Sequence, residues 1–109
     1  MIIIEWSEHG TPHVLAGSGP PLLSDFLATD VQDYWPRIEE ITTVIERCRR
    51  GEALEPVSFY GNVYELKLGC EKAILANLFD ASIAPESHPF SDFKVMFEVW
   101  VAALRSWGK

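Results

Sequence analysis

The sequence predicts an α+β domain: an antiparallel β-sheet of about five strands, in hairpins and a meander, with two main helices, about 36–50 and 92–107, packed on one face. Three observations predict it. Two segments repeat apolar residues at helical spacing, a stretch around Gly61-Asn62 alternates apolar and polar residues, and no strand–helix–strand rhythm suggests a parallel sheet.

Residues 2–6, β-branched and aromatic, suit a strand, with Pro12 to Ala16 as its hairpin partner across Ser7 to Thr11. Gly17-Ser18-Gly19-Pro20-Pro21 is a breaker cluster, expected to be a turn or loop that opens no clear helix and is no phosphate loop, because no Lys-Ser or Lys-Thr pair follows. Tyr34, Ile38, Ile41, Ile45 and Cys48 then fall on one helix face. Pro36 fits the first turn of that helix, and Gly51 is placed to end it as a left-handed cap.

From Val57 to Leu68, apolar Tyr64, Leu66 and Leu68 alternate with Val63, Glu65 and Lys67, and Gly61-Asn62 suits a two-residue turn with positive φ. Lys72 to Phe79 reads as a central strand, which completes a three-stranded meander. Ser82 to Pro89 reads as a loop, and Ser91 as the N-cap of a helix that Gly108 stops. Phe93, Met96, Phe97, Trp100, Leu104 and Trp107 form that helix's apolar face. Val95, Val99 and Ala102 form a second stripe, expected to be covered by the first helix or the N-terminal hairpin rather than by a partner.

A chain of 109 residues, 48% hydrophobic and 23% charged, is expected to fold as one domain, 1–109, without metals or disulfides. Sixteen acidic against nine basic residues give a net charge of −7, which disfavours direct binding to nucleic acid or to anionic membranes; it is ordinary for a cytosolic protein and also suits steering toward a basic protein partner. Cys48 and Cys70 are in no metal-ligand pattern and are expected to be free thiols. The apolar N-terminus lacks the basic region of a signal peptide, and no run reaches membrane-spanning length, so the cytoplasm is the expected compartment.

The chemistry of catalysis is sparse. His9 and His13 are four apart, but Gly10 and Pro12 between them exclude a helix, and His88 lies elsewhere; all three read as exposed turn residues rather than as a zinc site. No serine sits in a nucleophile elbow. No catalytic residue, metal or cofactor is expected, and the chain reads as a binding protein rather than an enzyme. Trp6, Trp35, Tyr60 and Tyr64 are of the type that anchors protein interfaces. The acidic residues Asp30, Asp33, Glu39, Glu46, Glu65, Glu71, Asp80, Glu86 and Asp92 are available to face a basic partner.

In layout, residues 30–107 resemble the bacterial immunity proteins of contact-dependent growth inhibition systems. The likeness lies in Trp35 opening an acidic helix, in Gly61-Asn62-Val63-Tyr64-Glu65-Leu66, in Ala73 to Phe79, and in an Ile83-to-Pro89 loop feeding a helix that ends Trp100-Val101-Ala102-Ala103-Leu104-Arg105-Ser106-Trp107. The resemblance implies a cytoplasmic antidote that binds a cognate toxin domain, often a nuclease, one to one, blocking its active site or an adjacent surface. On that reading Asp30, Asp33, Glu39, Glu46, Glu65, Glu71, Asp80, Glu86, Tyr60 and Tyr64 would contact the toxin. The alternative is a cytosolic regulatory or adaptor protein that self-associates, as a homodimer, through the Val95, Val99 and Ala102 stripe of its C-terminal helix.

Overall fold

The computed structural model describes residues 2–109 of the chain. In chain order the elements are β1 (Ile4–Trp6), β2 (Pro12–Val14), α1 (Pro21–Phe26), a π-helical turn (Leu27–Val31), α2 (Trp35–Arg49), β3 (Val57–Tyr60), β4 (Tyr64–Leu68), β5 (Lys72–Asn77), β6 (Glu86–Pro89) and α3 (Phe90–Trp107). The fold is α+β, as the sequence predicts. β1 and β2 form their own two-stranded sheet, and β3-β4-β5-β6 form an antiparallel four-stranded meander.

Alternation along the strands decides which face of the larger sheet is covered. Phe59, Leu66, Leu68, Ala73 and Leu75 point inward into one core with Leu23, Phe26 and Leu27, with Ile38, Ile41, Val44 and Ile45 of α2, and with Phe93, Phe97, Trp100 and Leu104 of α3. Ser58, Tyr60, Glu65, Lys67 and Ile74 occupy the open face. α2 and α3 run antiparallel: Arg37 near the start of α2 and Arg105 near the end of α3 lie at one end of the sheet, where Arg105 sits over Trp35. Cys48 and Phe90 lie at the other.

Both main helices end as expected, on Gly51 (φ +83°) and Gly108 (φ +86°), which free each last turn to close on itself. Their beginnings differ. α3 starts on Phe90 after Pro89, and Ser91 lies inside the first turn rather than capping it. Tyr34, expected on the buried face of α2, stands outside its first turn and is exposed.

The breaker cluster does open a helix. Pro21 occupies the first position of α1, and the orphan N–H groups of Leu22 and Leu23 donate to the Glu86 carboxylate at 3.0 Å each. That acceptor lies over sixty residues away, so nothing local announces it. Glu86 belongs to β6, which pairs with β5 where a loop was expected. Its carboxylate also meets His88 Nε2 at 2.8 Å, so His88 is largely buried rather than exposed in a turn.

The Gly61-Asn62 turn is not built from positive φ angles; neither residue has one. Residues 61–64 instead bridge the paired Tyr60 and Glu65, with Gly61 N–H donating to the Tyr64 carbonyl at 2.9 Å. β5 ends at Asn77 rather than Phe79, because the Asn77 side-chain oxygen accepts the N–H groups of Phe79 and Asp80 and turns the chain out of the sheet.

Cys48 and Cys70 are joined in a disulfide, not free; their Cα atoms are 5.3 Å apart, within bridging range. The bond ties the last turn of α2 to the β4–β5 turn. Trp6 of β1 stacks on Trp107 at 4.7 Å between ring centroids, and Gly10 passes so close beneath Trp107 that an added Cβ would lie 2.8 Å from Nε1. These contacts seat the N-terminal hairpin on the end of α3 and leave the second stripe only partly covered: Val99 packs against the core, whereas Val95 is 47% exposed and Ala102 faces solvent.

Candidate functional site

Charge is unevenly placed. The half around the disulfide carries Arg47, Arg49, Arg50, Lys67, Lys72 and Lys94, matched by Glu46, Glu52, Glu55, Glu71, Asp92 and Glu98. Several are paired directly: Arg47 and Arg50 with Glu52 at 3.1 and 3.2 Å, Arg49 with Glu46, and Lys94 with Glu98. The hydrogen bond from Arg47 holds the Glu52 carboxyl below its usual range. The remaining carboxylates face only Arg37, Arg105 and Lys109 among the described residues, so the net charge of −7 is carried by the other half.

That acidic half ends in three connections: the linker 32–34 between the π-helical turn and α2, the β3–β4 turn, and the β5–β6 loop. Asp30 locks the first two together. Its carboxylate accepts the backbone N–H groups of Asn62 (3.1 Å), Val63 (3.2 Å) and Tyr64 (2.8 Å). A Cβ at Gly61 would overlap that carboxylate, so the close approach requires glycine. The wider π-helical turn carries Asp30 to this position.

Just beyond, Gln32 adopts φ 50°, ψ −131°, a region normally reserved for glycine. Surrounding bonds hold it there. Its N–H donates to the Leu27 carbonyl at 2.7 Å, its carbonyl accepts the buried Trp100 Nε1–H at 2.9 Å, and its side-chain amide donates to the Thr29 carbonyl. The chain therefore reverses sharply, leaving Tyr34 in solvent opposite Tyr60, each 61% exposed.

Between these segments lies a cleft of about 420 Å³ lined by Gln32, Tyr34, Arg37, Tyr60 and Asn62. Arg37 forms part of its wall, donating to the Tyr60 carbonyl at 3.4 Å with its guanidinium over the Phe59 ring. Its Nε is buried without a hydrogen-bond acceptor, Glu40 Oε1 lying 3.5 Å away as an ion-pair partner only. At the same end of the sheet Leu78 N–H donates to the Val63 carbonyl at 2.8 Å, and the loop beyond exposes Leu78, Phe79 and Ile83, with Phe79 80% exposed.

The residues expected to contact a partner separate into two groups. Asp30, Glu86 and Tyr64 work inside the fold: Asp30 holds the turn, Glu86 caps α1, and buried Tyr64 donates its hydroxyl to Asp25 Oδ2 at 2.6 Å. Burial, then the Asp25 carboxylate, push the Tyr64 phenol well above its ordinary range. Asp33, Glu39, Tyr60 and Asp80 are exposed on the acidic half, Glu65 is half-buried and accepts a hydrogen bond from Ser58, and Glu46 and Glu71 belong to the balanced half. Neither Tyr34 nor Phe79 is legible in the sequence as a surface aromatic, because helix periodicity places one on a core face and a strand run absorbs the other.

Among the described residues no group of histidine, cysteine and carboxylate side chains could hold a metal ion, and no helix is long and apolar enough to cross a membrane. Comparison with family models, with characterised proteins and with solved structures finds no match to this chain.

Proposed function

We propose that this chain is a binding protein without catalytic activity, an immunity protein that neutralises the toxin domain of a contact-dependent growth inhibition system, and that it meets a basic domain with its acidic half. The carrying observation is that exposed Tyr34, Tyr60 and Phe79 share one end of the sheet, in the half that holds the whole charge excess. Aromatic anchors supply contact area, and unbalanced charge steers an oppositely charged partner into place. A nuclease cleft, shaped for a phosphate backbone, has the complementary sign.

The test is reconstitution with the toxin domain encoded immediately upstream. A one-to-one complex is expected, with an association rate that falls steeply as salt is raised. Absence of any complex, or an upstream gene that encodes no toxin, defeats the immunity reading. Exposed Val95 and Ala102, flanking a partly buried Val99, favour a second reading, an adaptor that dimerises through α3, which a monomer in sedimentation at micromolar concentration removes.

As an antidote the chain belongs in the cytoplasm, whereas the Cys48–Cys70 bridge suits an oxidising compartment. Thiol labelling in freshly lysed cells decides between them: labelled cysteines support the cytoplasm, and protected ones overturn it.

A further inference from the structure

Phe79 is the most exposed large hydrophobic residue among those described, yet its loop is strongly tied down. Asn77 Oδ1 accepts the N–H groups of Phe79 and Asp80 at 2.8 and 2.9 Å. Asp80 Oδ1 accepts the Ser82 N–H at 3.0 Å and its hydroxyl at 2.6 Å, which keep the Asp80 carboxyl below its usual range. Ile83 N–H returns to the Asp80 carbonyl, and Leu78 N–H is anchored on the Val63 carbonyl of the β3–β4 turn. The loop thus spends its polar groups on holding its own shape. An aromatic ring presented to water by so ordered a loop gains nothing from the fold, and one held in place before binding loses little freedom on burial.

From this we infer that the β5–β6 loop is a preformed plug, with Phe79 entering an apolar pocket on a basic protein partner while Asp80 meets a cation at the pocket's rim. The inference rests on the proposed binding role and adds which element enters the partner. The occupant is a basic protein because the ring rises from the half carrying the excess negative charge, which repels both an anionic lipid surface and a second copy of this chain. Phe79 stands 80% exposed with no cavity of its own to fill, so the partner supplies the cavity.

A photo-crosslinking residue placed at Phe79, with one at Ala102 as control, reads the contact in the cells that encode the chain; purified wild type and Phe79→Ala are then titrated with the upstream toxin domain. Position 79 should crosslink to that basic domain and position 102 should not. Phe79→Ala should weaken binding about 30-fold, chiefly through faster dissociation, with its unfolding midpoint unchanged, and Phe79→Leu should recover part of the loss. Crosslinks from position 79 only to this same chain, co-sedimentation with anionic phosphatidylserine vesicles that Phe79→Ala abolishes, or equal affinity of wild type and Phe79→Ala overturns the plug. If Phe79→Ala binds normally while Tyr60→Ala does not, the binding role stands and the plug alone falls. If wild type binds no basic partner, both fall.

Discussion

The two ends of the sheet are ordered by opposite means. At one, a covalent bond joins α2 to the β4–β5 turn, and cations and carboxylates balance. At the other, three backbone N–H groups converge on a single carboxylate, a residue is held in a glycine conformation, and tyrosines and a phenylalanine face water. The balanced end has its charges matched internally. The acidic end uses charge to shape its backbone and keeps both aromatic surface and negative charge free. Covalent closure and exposed aromatic surface therefore fall at different ends, and each end can be disturbed while the other is watched.

The largest effect should come from the covalent end. The cysteines are separated by 22 residues, so replacing both with alanine should cost about 3 kcal/mol in denaturant unfolding, through the entropy regained by the unfolded chain. Hydrogen exchange at Asn62, Val63 and Tyr64 in the native state should barely change, because those amides belong to the other end. If they lose protection equally, the ends are one unit and the contrast fails.

Asp30→Ala is the matching test. It strands the N–H groups of the β3–β4 turn and should cost about 2 kcal/mol, with fast exchange confined to those amides and their neighbours. Tyr64→Phe, which removes the hydroxyl bonded to Asp25, should cost about 1 kcal/mol at neutral pH. It should also alter the alkaline limb. Because the folded state raises the Tyr64 pKa, the phenol's contribution is complete below its unfolded value of about 10 and is lost as the pH climbs past it. Stability of the wild type should fall more steeply than that of Tyr64→Phe above that point. The smallest effect has the opposite sign: Gln32→Gly relieves the positive φ and should add up to about 1 kcal/mol to stability, read as a higher unfolding midpoint.

What could be read from the chain follows the range of the interactions. α2, α3 and their glycine stops came from periodicities and caps within a few residues, as did the β3–β4–β5 meander. α1 escaped notice because Glu86 caps it across the whole sheet, and the turn geometry at Gly61 because its acceptor, Asp30, precedes it by more than thirty residues. The disulfide is not legible in the sequence, because spacing alone does not place Cys48 beside Cys70. The acidic excess was visible in composition, but its confinement to one half was not: the sum of charges carries no address. Tyr60 is a candidate interface residue by its type alone, whereas Tyr34 becomes one only through the reversal at Gln32 that brings it out of the helix face.

The stack of Trp6 on Trp107 closes the chain into a ring, since one indole comes from the first strand and the other from the last helical turn. Two such indoles in face-to-face contact at 4.7 Å shield one another from water and perturb each other's near-ultraviolet absorption and fluorescence. The molecule therefore carries an optical gauge of whether its first strand is seated on its last helix, readable without any label in a spectral region where the peptide backbone does not absorb.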